Sequence, residues 1–306
     1  MDSSSRILIV GSGALATLFG ARLAAAGNAV TLLGTWPEAL TALNTYGARL
    51  TAGDSGSEQA WPVHAVDDSR QCHGIRYALV LVKAWQTARA AAQLAECLAD
   101  DGVALTLQNG WGNREQLQEV LGPARVAAGV TTLGATLLKP GRVRAAGNGP
   151  ITVGEHPALP PLLHRLSDAG FTVASSTDID GLLWGKLVIN AAINPLTAIM
   201  RIRNGKLLEE PLRGLASIMA EEAAATGRAR GLQLPFADAT AAMLEVAQRT
   251  ADNYSSMCQD LLNERPTEID AINGVVAREA ERLGVLAPNN HAFWYLISNG
   301  LTEVLQ

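Results

Sequence analysis

The run Gly11-Ser12-Gly13-Ala14-Leu15-Ala16 follows the short apolar stretch Arg6–Val10 and opens the Ala/Leu segment Ala14–Ala26, and this placement constrains the fold more than any other feature. Glycine at the first position allows a tight turn, its missing side chain at the third lets the backbone approach a pyrophosphate, and a small residue at the sixth lets helix pack on strand. The start of the helix then faces the anion. A second β-branched run, Ala29–Leu33, completes a β-α-β unit. The alternation continues with Ala78–Val82 as a buried strand, Thr87–Leu98 as a helix, Val103–Leu107 as a strand and Asn113–Leu121 as a helix. A parallel, doubly wound sheet of Rossmann type is expected, holding a dinucleotide on Gly11, Ser12, Gly13, Ala14, Leu15 and Ala16. The same loop without a ligand would be an ordinary glycine turn.

From Val126 the pattern changes. Val130-Thr131-Thr132 is followed by Thr136-Leu137-Leu138, a Lys139-Pro140-Gly141 turn and Arg142-Val143-Arg144, which predicts a hairpin. Strand signals vanish beyond Ser175, and Leu212–Arg230, Ala237–Thr250 and Glu268–Leu283 read as amphipathic helices. The expected fold is therefore α/β, with an N-terminal dinucleotide-binding domain over 1–176 and an all-helical substrate and catalytic domain over 177–306.

The 306 residues are 48% hydrophobic and 17% charged, which excludes a disordered or fibrous chain. Net charge is −5, and it divides unevenly: residues 1–176 carry 13 basic and 13 acidic side chains, residues 177–306 carry 11 and 16. Nucleic acid and anionic membrane are thus not expected partners, since both need a basic face. The longest apolar stretches are interrupted by Lys83, Lys186 and Asn190, so no bilayer span is expected. Met1-Asp2-Ser3-Ser4-Ser5 lacks the basic start of a secretory signal. Cys72, Cys97 and Cys258 form no C-x-x-C pair, so neither a disulfide framework nor a metal site is expected, and a cytoplasmic address follows.

The segment Leu182–Pro195 is apolar except at Lys186, Asn190 and Asn194, which fall at i, i+4 and i+8 on one helical face. A lysine in such surroundings points to chemistry or to a snorkelling side chain beside loop-bonding asparagines. Pro195 is expected to bend or end this helix. Gln108-Asn109-Gly110 and Lys83 each follow a strand at the edge where open α/β sheets bind ligands, although turn chemistry explains either alone. The tip of the second strand, Gly34-Thr35-Trp36, offers a 2′-phosphate only backbone N–H groups and one hydroxyl at Gly34-Thr35, with neither the acid that reads a ribose 2′-hydroxyl nor an arginine for the phosphate. Asn253, Ser255 and Ser256 precede a short helix, with Ser256 as a helix cap in the plainest reading and Glu268 as a surface acid. The histidines, His64, His73, His156, His164 and His291, receive no catalytic role.

Together these residues resemble the ketopantoate reductase family, the 2-dehydropantoate 2-reductases of pantothenate and coenzyme A synthesis. The resemblance spans nearly the whole chain, through GSGALA at 11–16, VKAWQT at 82–87, QNGWG at 108–112, AGVTT at 128–132, WGKLVINAAINPLTAI at 184–199, Asn204-Gly205, NYSSMCQD at 253–260 and TEIDAING at 267–274. It implies that Lys186 is the general acid, and that Asn109, Asn190, Asn194, Asn204, Asn253 and Ser256 meet the substrate. It further implies that Thr35, Lys83, Asn109, Ala135 and Glu268 join the glycine loop around the cofactor, NADP(H). The family's usual arginine at the second strand's end is here Thr35, which departs from that pattern, while Lys83 keeps it.

The expected activity is NAD(P)H-dependent reduction of a 2-oxo acid, ketopantoate to pantoate. A reductase of another 2-oxo or 3-hydroxy acid, or a non-catalytic NAD(P) sensor, are the competing readings. The expected partner is a small molecule, with a homodimer left open. A free lysine has a pKa of about 10.4, well below that of an ordinary alkoxide, so the ammonium can serve as acid at neutral pH without needing a lowered pKa.

Overall fold

The computed structural model describes residues 6–51, 56–147 and 149–300. The chain forms two compact units, one of residues 1–108 and 112–179, the other of residues 109–111 and 180–306.

In the first unit β1 (Ile7–Val10), α1 (Ala14–Ala25) and β2 (Val30–Leu33) form the opening β-α-β. They are followed by α2 (Pro37–Tyr46), β3 (Ala48–Thr51), β4 (Glu58–Trp61), β5 (His64–Val66), β6 (Ile75–Val80), α3 (Thr87–Cys97), β7 (Leu98–Thr106), α4 (Asn113–Leu121) and β8 (Val126–Thr131). Then come β9 (Gly134–Lys139), β10 (Arg142–Ala146), β11 (Ile151–Gly154), α5 (Pro160–Asp168) and β12 (Val173–Ser176). The main sheet runs β12-β11-β8-β7-β6-β1-β2-β5, parallel except where β11 meets β8. The expected hairpin is β9 and β10, but it belongs to a second sheet, β4-β3-β10-β9, whose other strands carry too few apolar residues to announce themselves. Helix α1 packs on β2 and also on β3, β9 and β10, which explains why it is apolar nearly all round instead of along one stripe.

The second unit is helical. It contains α6 (Ile179–Met200), α7 (Leu212–Ala229), α8 (Ala239–Arg249), α9 (Ser256–Leu262), α10 (Val275–Leu283) and α11 (Pro288–Ser298). By length and composition α6 meets the requirement for crossing a bilayer, so Lys186 and Asn190 do not break it as expected from the sequence. Its apolar window is 67% buried inside the protein, however, and Trp184, Leu187, Val188, Ala191, Ala192 and Leu196 form the centre of the helical core. Pro195 does not end α6, which continues to Met200. The carbonyl of Ala191, four residues earlier, loses its helical N–H donor at Pro195 and accepts instead from Asn273 Nδ2 at 2.9 Å. The helix expected from Glu268 opens instead with a π turn, Asp270–Gly274, in which Gly274 N donates to Ile269 O at 3.0 Å.

Candidate active site

In the first unit the glycine loop has the geometry that the sequence demands. Gly11 sits at φ +133°, where a Cβ would lie 3.1 Å from the carbonyl of Leu81. A Cβ on Gly13 would meet nothing within 4 Å, so the backbone there faces open space that a ligand can approach. Gly13 is also the N-cap of α1 and supplies no capping side chain, which leaves first-turn N–H groups for an anion. Ala16 is fully buried. These residues fit a dinucleotide pyrophosphate.

The strand tip is more closed than its sequence suggests. A Cβ on Gly34 would stand 2.5 Å from Ser12 Oγ, and Gly34 N already donates to Val66 O at 3.0 Å. The expectation that Gly34 offers a backbone N–H to a ligand is therefore wrong, because that donor extends the β2–β5 pairing. Thr35 is exposed. Lys83 lies beyond β6, half-buried, in a turn closed by Gln86 N to Lys83 O at 2.8 Å. Gln108 braces that turn, donating from Nε2 to Val82 O at 3.1 Å and to Thr87 Oγ1 at 2.9 Å. Ala135 lies on β9, paired with Ala145 in the smaller sheet.

In the helical unit, Asn109 Nδ2 donates to Glu268 Oε2 at 3.1 Å. The loop is fitted there closely. Gly110, at φ +85°, leaves room for only 2.6 Å between a Cβ and Ala271 O, and Trp111 N donates to that same carbonyl at 2.9 Å. The Arg230 guanidinium stacks over both Trp111 and Trp184, at 5.0 and 5.3 Å from their ring centroids, and pairs with Glu279. Glu268 is 5% exposed, so the surface-acid reading fails.

Lys186 is half-buried on α6. Burial lowers its pKa to about 8, and the Glu268 carboxylate opposes that fall. Acid chemistry does not require this lowering, and a group with a pKa near 8 is still mostly an ammonium at neutral pH. Asn190 and Asn194 continue its face, and Asn194 is buried. Asn204 is buried too, donating from Nδ2 to Thr250 Oγ1 at 2.9 Å and from N to Asn253 O at 2.9 Å, while its Oδ1 has no partner. Asn253 is exposed.

Ser256 is not the cap of α9. Ser255 is, accepting from Cys258 N at 3.1 Å and from Thr197 Oγ1 at 2.7 Å, and this leaves the exposed Ser256 outside the capping bonds. Thr197 is a residue that the sequence reading missed. It stands at i+11 from Lys186, so carrying the i, i+4, i+8 row one turn further would have found it. Asn273 and the Arg230 clamp left no comparable periodic signal. No group of three or more His, Cys, Asp or Glu that could hold a metal occurs among the described residues.

Residues 7–158 match the family described as Ketopantoate reductase PanE/ApbA, and residues 178–300 match its C-terminal counterpart. The chain is 35% identical over 298 residues to the 2-dehydropantoate 2-reductase of Archaeoglobus fulgidus, covering 95% of this chain and 96% of that one. The crystal structure of a PanE/ApbA family ketopantoate reductase from Ralstonia eutropha JMP134 superposes with a TM-score of 0.88 at 32% identity, over 96% of this chain and 97% of that one. D-mandelate dehydrogenase in complex with NADH superposes with a TM-score of 0.84 at 25% identity, over 96% and 98% of the two chains. This chain is an oxidoreductase of the ketopantoate reductase family.

Proposed function

We propose that the chain reduces ketopantoate to pantoate with NADPH as the preferred donor, a step of pantothenate synthesis. The observation that carries this reading is Lys186, a half-buried lysine whose burial is countered by Glu268 and whose helical face also carries Asn190 and Asn194. A bound nicotinamide supplies the hydride that reaches the C2 carbonyl of the substrate. The Lys186 ammonium donates its proton to the oxygen that becomes the hydroxyl, and Glu268 favours the charged form beforehand. Neutral donors and acceptors then hold the rest of the acid: the unsatisfied Oδ1 of Asn204 faces no protein donor, and the hydroxyl of Ser256 is spared from capping. Asn109, anchored by Glu268, is assigned to both substrate and cofactor. Asn253 lends its carbonyl to Asn204 and its side chain to the substrate. The three cysteines are free and buried, in keeping with a reducing, cytoplasmic setting.

Following the nicotinamide absorbance with ketopantoate, NADPH and NADH tests the reading, and a 2-oxo acid with an aromatic side chain belongs in the panel. Turnover of the aromatic acid with none of ketopantoate would reassign the substrate. Ser256→Ala is expected to weaken substrate binding by about 1–3 kcal/mol and to leave the cofactor constant nearly unchanged, the range for a hydrogen bond to a charged group. Equal losses for both ligands would instead mark a destabilised unit.

Cofactor choice rests on Thr35 and Lys83, since Ser12 fills the space where a side chain at residue 34 would stand. With no acid at the tip to repel a 2′-phosphate and no guanidinium to grip it, the NADPH preference is expected to be modest. Thr35→Arg should tighten NADPH by ~1–2 kcal/mol with little change for NADH, and Lys83→Ala should erode the NADPH advantage. A wild type favouring NADH tenfold in kcat/KM, or equal losses for both cofactors in Lys83→Ala, would sink the assignment.

A further inference from the structure

The donor that α6 borrows for Ala191 O has a place in the reaction, provided that Lys186 is the proton donor proposed above. The carbonyl freed by Pro195 is that of Ala191, which lies between Asn190 and Asn194 on the helix that carries Lys186. Its partner, Asn273, belongs to a chain of buried groups whose orientation follows from one end. The Glu222 carboxylate only accepts, so Asn290 must turn its Nδ2 toward it, at 2.8 Å, and the same Nδ2 reaches Met219 O at 3.0 Å. Asn290 Oδ1 then faces Asn273, which must present Nδ2 in return, at 2.9 Å. The remaining N–H of that Nδ2 serves Ala191 O. Asn273 and Asn290 are completely buried, and Asn273 Oδ1 has no partner, so the residue is held for its two N–H groups.

Asn273 lies in the π turn that follows Glu268, and Ile272 N donates to Glu268 O at 3.1 Å. One side chain thus ties the segment bearing the carboxylate to the helix bearing the lysine. We infer that Asn273 is a positioning residue of the reductase: through Ala191 O it sets the separation between Glu268 and the face of Lys186, Asn190 and Asn194. It touches no substrate.

The test compares Asn273→Ala, Pro195→Ala, the double variant and Lys186→Ala, each read by unfolding midpoint, kcat, KM and the pH profile of kcat. Asn273→Ala should lower kcat roughly 10–100-fold, the scale of a misplaced catalytic group. The basic limb of its profile should also move to lower pH, because Glu268 no longer offsets burial at Lys186. Pro195→Ala returns a helical N–H to Ala191 O, so the double variant should regain much of the lost stability while the kcat loss and the displaced limb persist. If kcat and the limb recover along with stability, or if Asn273→Ala folds with both unchanged, Asn273 is a core stitch and the inference fails. Should Asn273→Ala not fold, the double variant measured against Pro195→Ala makes the same comparison. Wild-type turnover in Lys186→Ala would overturn the underlying reading instead, whatever Asn273 does.

Discussion

Lys186→Ala is expected to lower kcat by roughly 10²–10⁴, the range for loss of a general acid, with a much smaller change in cofactor affinity. The pH dependence gives the same assignment a second handle. Reduction consumes the proton on the ammonium, so kcat should be level below about 8 and fall as pH rises through that value, where the lysine loses its proton. An ordinary lysine would postpone the fall to about 10.4. Glu268→Gln removes the carboxylate that favours the charged form and should move the fall to still lower pH. Turnover within threefold of wild type in Lys186→Ala, or a basic limb that survives this replacement, would take the lysine out of the mechanism.

Glu222→Ala should produce the largest loss of stability in the helical unit, about 3–5 kcal/mol, as the price of stranding several buried donors at once. Glu222 is buried and accepts from Asn289 N and Nδ2 at 3.1 and 2.6 Å, and from Asn290 N and Nδ2 at 2.9 and 2.8 Å. The two backbone donors are first-turn amides of α11, whose N-cap residue, Ala287, has no side chain able to cap. A carboxylate from α7 therefore does the capping, with its charge set against the positive end of α11. Glu222→Gln keeps the shape but points an NH2 group at other donors, so it should recover only part of the loss. Guanidinium unfolding followed by tryptophan fluorescence measures both, and a change below about 1 kcal/mol in Glu222→Ala would refute the capping role.

What the sequence disclosed, and what it hid, divides along the range of the contacts. The glycine loop, the alternation of β1, α1 and β2, and the face of Lys186, Asn190 and Asn194 are local patterns, and each is written in neighbouring residues. The errors arise where a partner is distant. Pro195 was expected to bend or end α6, and it does not end it, since the donor that rescues Ala191 O comes from 82 residues away. The capping alternative for Ser256 fails because its neighbour Ser255 is the cap, fixed by Thr197, 58 residues earlier. The lysine's lowered pKa depends on how many atoms crowd it, which periodicity does not report. Gly34 looked available as a donor until the short strand β5, three residues long, was placed beside β2.

The loop of Asn109, Gly110 and Trp111 has a consequence for anyone who recombines this protein with a relative. The chain passes into the helical unit for these three residues, returns to the first unit at Gly112, and leaves it again only after Ile179. A chimera joined once, near residue 179, would inherit Asn109 and Trp111 from one parent and Glu268, Ala271, Arg230 and Trp184 from the other. Its loop would then have to fit a carbonyl, a carboxylate and a guanidinium drawn from a foreign sequence, at a glycine where an added Cβ would stand 2.6 Å from Ala271 O. Exchange of the helical half therefore calls for two grafts, one long and one of three residues, and the short one carries the asparagine.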